Sequence, residues 1–239
     1  MSKLSDAIRR TLRAEAAPMG FGAARSAPKA TMLVGLLQSG AAGAAGADLL
    51  LLDGRTSTPS AEEVEEAKEG NSGAVVGLLA GQVQRETLSE LRSRGLDFVV
   101  FDAEKTPASA LLEEDVGFVL ALPDKAEDEF MRSLDSLQLD AVYIEDLPSP
   151  LTVASGLRLM RSRRPIIARV SSAAGNAELE TLRASGVAVV LTEDSSAVEM
   201  LKQAVLALPP RRVRREERPT VAVPRTAVQQ EQHEEEEDD

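Results

Sequence analysis

The stretch Gly46–Gly54 reads GADLLLLDG, four leucines held between Asp48 and Asp53. Four leucines in succession cannot divide into a wet face and a dry face. Such a segment is buried on both sides, as in a parallel sheet covered by helices. The pattern returns three times. Residues 95–102 read GLDFVVFD and residues 139–145 read LDAVYIE. Residues 186–193 read GVAVVLTE, keeping the terminal acid and lacking the first aspartate. A second motif, VGLL, occurs at 34–37 and again at 76–79. The chain therefore reads as four βαβα units with a period of about 45 residues.

Working outward, eight apolar, β-rich runs stand at 31–37, 48–53, 74–79, 97–102, 117–122, 140–145, 166–170 and 187–192. Helical patterns fill most gaps. Ser60 with Glu63 and Ser196 with Glu199 have capping-box spacing. Pro107 and Pro150 suit first helical positions. Asp124 with Glu127 opens a helix whose apolar stripe is Phe130, Met131, Leu134 and Leu137. Gly70, Gly95 and Gly186 are expected helix stops. The weakest expected helix is 38–47. Leu4, Ile8 and Leu12 share one face of an N-terminal helix over 4–15 that could cover the barrel bottom. Eight βα units predict a (β/α)8 barrel over 31–208, with 1–30 as helix and lead-in. The alternative is an open doubly wound sheet.

Each acid of the repeat has its own reading. Asp48, Asp97 and Asp140 fall where a helix-to-strand loop begins a strand, and are expected as wet turn residues that satisfy backbone donors. Asp53, Asp102, Glu145 and Glu193 fall at the C-terminal ends of even strands, the face where barrel sites are built. If all point inward they form a ring of carboxylates. Like charges so placed must share protons, hold a divalent cation or face protein cations. The candidate cations are Arg55, Lys105, Lys125 and Arg169. Asp53, Asp102 and Glu145 are the expected ligands for Mg2+ or Mn2+, since oxygen suits hard cations. Arg169, inside the apolar run IIARV, needs a partner. It reads as a carboxylate-paired structural residue or as a clamp for a substrate anion. Glu193 is the candidate proton carrier, making Glu193 and Arg169 the catalytic candidates. Ser171, Ser172 and Lys105 are candidate substrate contacts beside Arg169, although the serines also suit capping.

Composition narrows the chemistry. Of 239 residues none is Cys and one is His, His233 in the final acidic run, so thiolate sites and a folded histidine base are excluded. The formal charge is −12. The last nine residues hold seven acids, residues 209–230 hold six Arg against two Glu, and the body keeps −9. An acidic body argues against nucleic acid. Residues 209–239, basic and then acidic, are expected as a disordered tail that could recruit a protein partner or pair with itself. No signal peptide is visible, and a cytoplasmic protein is expected. The uncharged span 30–47 raises a membrane helix as an alternative, weakened by its Gly, Ala and Ser content and Gln38.

From 31 to 208 the chain resembles the aldolase-type TIM barrels, on its eight-fold alternation and its strands of the form GADLLLLDG. The resemblance implies strand-end acids of the kind used by metal-dependent lyases and sugar-phosphate isomerases. It implies no flavin, because no Gly-rich phosphate signature is present. Two functions compete. One is a lyase or isomerase acting on a small anionic metabolite. The other is a non-catalytic barrel scaffold whose charged tail recruits a partner. A homo-oligomer is compatible with either.

Overall fold

In the computed structural model, which describes residues 2–14, 30–41, 43, 46–123, 126 and 128–209, eight parallel strands close into a barrel in chain order. They are β1 (Leu33–Gln38), β2 (Leu49–Gly54), β3 (Val75–Ala80), β4 (Phe98–Phe101), β5 (Gly117–Ala121), β6 (Ala141–Ile144), β7 (Ile166–Arg169) and β8 (Val187–Thr192). β1 pairs with β8, so the sheet has no open edge and the doubly wound alternative falls. The helices are α1 (Lys3–Ala14), α2 (Ala61–Gly70), α3 (Arg85–Ser93), α4 (Asp128–Ser133), α5 (Val153–Met160), α6 (Asn176–Ala184) and α7 (Val198–Leu206). A 3-10 turn, Ala108–Leu112, follows β4.

The four leucines divide by strand alternation. Leu49 and Leu51 join an inner cluster with Phe98, Val100, Tyr143 and Ile167. Leu50 and Leu52 join the outer cluster with Val64 and Ala67 of α2 and Leu201 of α7. Each fully buried leucine contributes about 1.5–3 kcal/mol relative to exposure. The VGLL motif has a packing cause. A Cβ on Gly77 would stand 2.1 Å from the Phe98 ring, and one on Gly35 would stand 2.4 Å from Leu191. The odd strands thus leave room that large side chains of neighbouring strands fill.

The first acid of the repeat is a clasp between strands. Asp48 N–H donates to Val34 C=O (2.8 Å), and its carboxylate accepts from Val34 N–H (3.0 Å). Asp97 does the same to Val76, at 2.8 and 3.0 Å. Satisfying backbone donors is the expected role and it holds; the expected wetness fails for Asp97. Asp97 is only 4% exposed and is paired with Lys3 (2.7 Å) and Lys68 (2.8 Å). Asp140 accepts from the Ser2 hydroxyl (2.8 Å). Through Lys3 and Ser2, α1 is tied to the strand-start face. Its Leu4 and Ile8 are buried in the inner cluster, while Leu12 remains 40% exposed.

Several local expectations change. The Ser60–Glu63 capping box is present. Ser196 does not cap: the Asp194 carboxylate accepts from both the N–H (2.9 Å) and the hydroxyl (2.6 Å) of Ser196, and α7 begins only at Val198. A charged acceptor at that turn outcompetes a hydroxyl. Pro107 precedes the 3-10 turn instead of opening a helix. Pro150 follows a cis bond, with α5 starting at Val153. Gly70 is the last residue of α2 and not its stop, whereas Gly95 and Gly186 take positive φ after α3 and α6 as expected. The described residues of 38–47 form no helix beyond β1, so the uncharged span 30–47 holds a strand and not a membrane helix. Among the described residues no helix is long and apolar enough to cross a membrane. Leu137, placed in the apolar stripe of α4, is exposed, while Phe130, Met131 and Leu134 pack on the core. Asp124, Lys125, Glu127, the lead-in 15–29 and the tail from 210 lie outside the described residues.

Candidate functional site

The C-terminal ends of β2, β6, β7 and β8 carry a connected set of charges. Asp53 lies two residues beyond the inward Leu51, and Glu145 two beyond the inward Tyr143. The Arg55 guanidinium bridges them. Its Nε and Nη2 donate to Asp53 at 2.9 and 2.7 Å, and its Nη1 donates to Glu145. Because β2 and β6 are opposite strands of an eight-stranded barrel, Arg55 is a bar across the mouth. Arg169 completes the chain. Its Nη1 donates to Glu193 (2.6 Å), its Nη2 to Asp146 (2.9 Å) and its Nε to the Glu145 carbonyl (3.3 Å). Arg169 Nη1 also stands 3.6 Å from the Glu145 carboxylate.

The expected carboxylate ring is therefore an alternating chain of acids and arginines. Three of its four acids belong. Asp102 does not: β4 ends at Phe101, and the Asp102 carboxylate turns back onto the Glu104 N–H (2.9 Å) and the Lys105 ammonium (3.2 Å). Lys105 spends its charge there, on an exposed turn. Among the described residues no three metal-ligating side chains gather at one point. A divalent ion at Asp53 and Glu145 would have to displace Arg55. The donor set does not fit Mg2+ or Mn2+ as it stands.

A cavity of about 480 Å3 opens beside this chain. Its walls include Arg169, Glu193, Glu145, Ser171 and Ser172, so five of the sequence-derived candidates share one space. Asp146, Thr192 and Asp194 also line it and were not singled out from the sequence. Tyr143 was missed as well. It is 1% exposed, and its hydroxyl has no hydrogen-bond partner among the described residues. Its place two residues before Glu145 on an inward strand was the available signal.

Structures of tryptophan synthase alpha subunits are similar to this chain. One from Pyrococcus furiosus is 16% identical, with 74% of this chain and 96% of that chain covered and a TM-score of 0.56. One from Legionella pneumophila is 13% identical, with 87% and 95% covered and a TM-score of 0.54. At such identity the likeness shows the TIM-barrel fold alone. No family model matches the sequence, and no curated protein does.

The charges tune one another. Hydrogen bonding from Arg55 holds the Asp53 carboxyl below its ordinary value, against a smaller opposing push from burial. For Arg169, burial disfavours the cation, but the bonds to Glu193 and Asp146 outweigh it and raise its pKa. Burial, then the Glu145 charge, raises that of Tyr143 and keeps it a donor. A carboxyl depressed in the folded state contributes stability above its unfolded pKa, about 3.9, which is lost as pH falls through the folded value. Asp53→Asn should therefore lower the urea midpoint at pH 7 and flatten the acid limb below about pH 4. An unchanged acid limb would show that the Asp53–Arg55 pair carries no linked stability.

Proposed function

We propose that the protein is a lyase- or isomerase-type barrel enzyme acting on a small metabolite with an anionic group. The observation that carries this reading is the cavity at the strand C-terminal face in which Arg169 and Glu193 stand together. Arg169 presents a planar donor fork that matches a carboxylate or phosphate. Ser171 and Ser172 add hydroxyls on the same wall. Glu193, at 58% side-chain exposure, would exchange Arg169 for a bound carbon acid, accepting a proton from it or returning one. The likeness to alpha subunits of tryptophan synthase supports a fold suited to such chemistry, and the residues of the cavity support the site.

The scaffold reading is favoured by one observation: every acid of the mouth chain already has an arginine. Thermal unfolding of the full chain with inorganic phosphate separates the two. A ligand bound only by the folded state stabilises it by about 2.7 kcal/mol at a hundredfold excess over Kd. A saturable rise in midpoint, lost in Arg169→Gln, is the expected result. No rise in the wild type would leave the scaffold reading standing.

A further inference from the structure

The cavity wall bears more negative than positive charge. Among the described residues that line it, Glu145, Asp146, Glu193 and Asp194 stand against one cation, Arg169, with Arg55 also bonded to Glu145. A plain anion that reached Arg169 would displace Glu193 or Asp146 and leave a carboxylate unpaired beside it. A plain cation would leave the guanidinium unpaired. A ligand bearing both charges replaces the broken pair on both sides. We propose that the ligand of this site is a small zwitterion inserted between Arg169 and Glu193. Its oxyanion would lie on Arg169 and its ammonium among Glu193 and Asp146. The proposal rests on the reading of Arg169 as an anion clamp and adds the positive group.

A second observation points the same way. The Tyr143 hydroxyl is buried without a hydrogen-bond partner among the described residues, on the inward face of β6 two residues from Glu145. The charges that bear on it are those of Glu145, Arg169, Arg55 and Asp53. A hydroxyl left open under a mouth whose carboxylates are already engaged can donate to a ligand oxygen.

Calorimetric titration of the full chain at low salt with three probes tests this: inorganic phosphate, ethanolamine and phosphoethanolamine. Phosphoethanolamine should bind at least about tenfold tighter than either simpler probe. Glu193→Gln should shrink that advantage to about threefold or less, and Asp146→Asn should reduce it in the same direction. Both residues are exposed, so the fold should tolerate both changes. Arg169→Gln should abolish binding of phosphate and phosphoethanolamine together. If phosphoethanolamine binds no tighter than phosphate while Arg169→Gln still abolishes both, the zwitterion is overturned and the anion clamp survives. If ethanolamine binds as tightly as phosphoethanolamine, or if no probe binds, both are overturned.

Discussion

Gly77→Ala should lower the stability of the barrel by about 1–3 kcal/mol, the usual cost of overpacking a filled core. The new Cβ would stand 2.1, 2.2 and 2.5 Å from three atoms of the Phe98 ring. Phe98 is fully buried among Leu49, Val75 and Leu79, so the ring has little room to yield. The double variant Gly77→Ala with Phe98→Leu should recover more than half of the loss, because the smaller side chain vacates the space. Gly70→Ala is the contrast. No atom stands within 4 Å of its Cβ position, and it lies in the last turn of α2, where alanine is the better helix former. That variant should be neutral or stabilised by less than about 1 kcal/mol. Urea unfolding at matched slope measures all three. Equal losses for Gly77→Ala and Gly70→Ala would refute the packing account of VGLL.

That pairing of small with large shows how far the sequence could be read. The eight strands were legible because each run is apolar on both faces and bounded by turn residues. The same double-sided apolarity hid the register. Leu51 and Leu52 are chemically alike, and only the closed barrel shows that Leu51 faces inward and carries Asp53 with it. Glu145 and Glu193 were legible as strand-end acids, and Arg169 as a cation that needed partners. Asp102 looked the same as Asp53 in the repeat. It was lost from the mouth because its loop offers a nearer N–H and lysine, a local contact that no periodic pattern reveals. Arg55 was one of four candidate cations. Its selection depended on a reach across the barrel that spacing along the chain cannot express.

Asp97→Ala should cost about 2–4 kcal/mol, more than any comparable change at the mouth. The variant strips the acceptor from the buried Val76 N–H and leaves Lys68 and Lys3 without their carboxylate. Asp97→Asn should cost less, since an amide oxygen can still accept from Val76 while the two lysines lose only the charge. Asp48→Ala makes the sharper comparison. Asp48 clasps Val34 with the same geometry and pairs with Lys202 at 3.0 Å, yet its side chain is 32% exposed against 3% for Asp97. Water can replace part of what Asp48 gives, so its loss should be about half that of Asp97. Urea midpoints of the three variants decide it, and equal losses for Asp48→Ala and Asp97→Ala would remove burial as the cause. The expected order has a consequence for the opening motif GADLLLLDG. Its first aspartate and its last are one strand-length apart and face opposite ends of the barrel. The first locks neighbouring strands at the closed end, beneath α1. The last meets Arg55 at the open end, where charge is exposed enough to be exchanged for a ligand. Most of the stability is thereby expected at one end of the strand and the proposed binding at the other: Asp97→Ala should leave phosphate binding by the folded protein unmoved, while Asp53→Asn should lower the urea midpoint less than Asp97→Ala does.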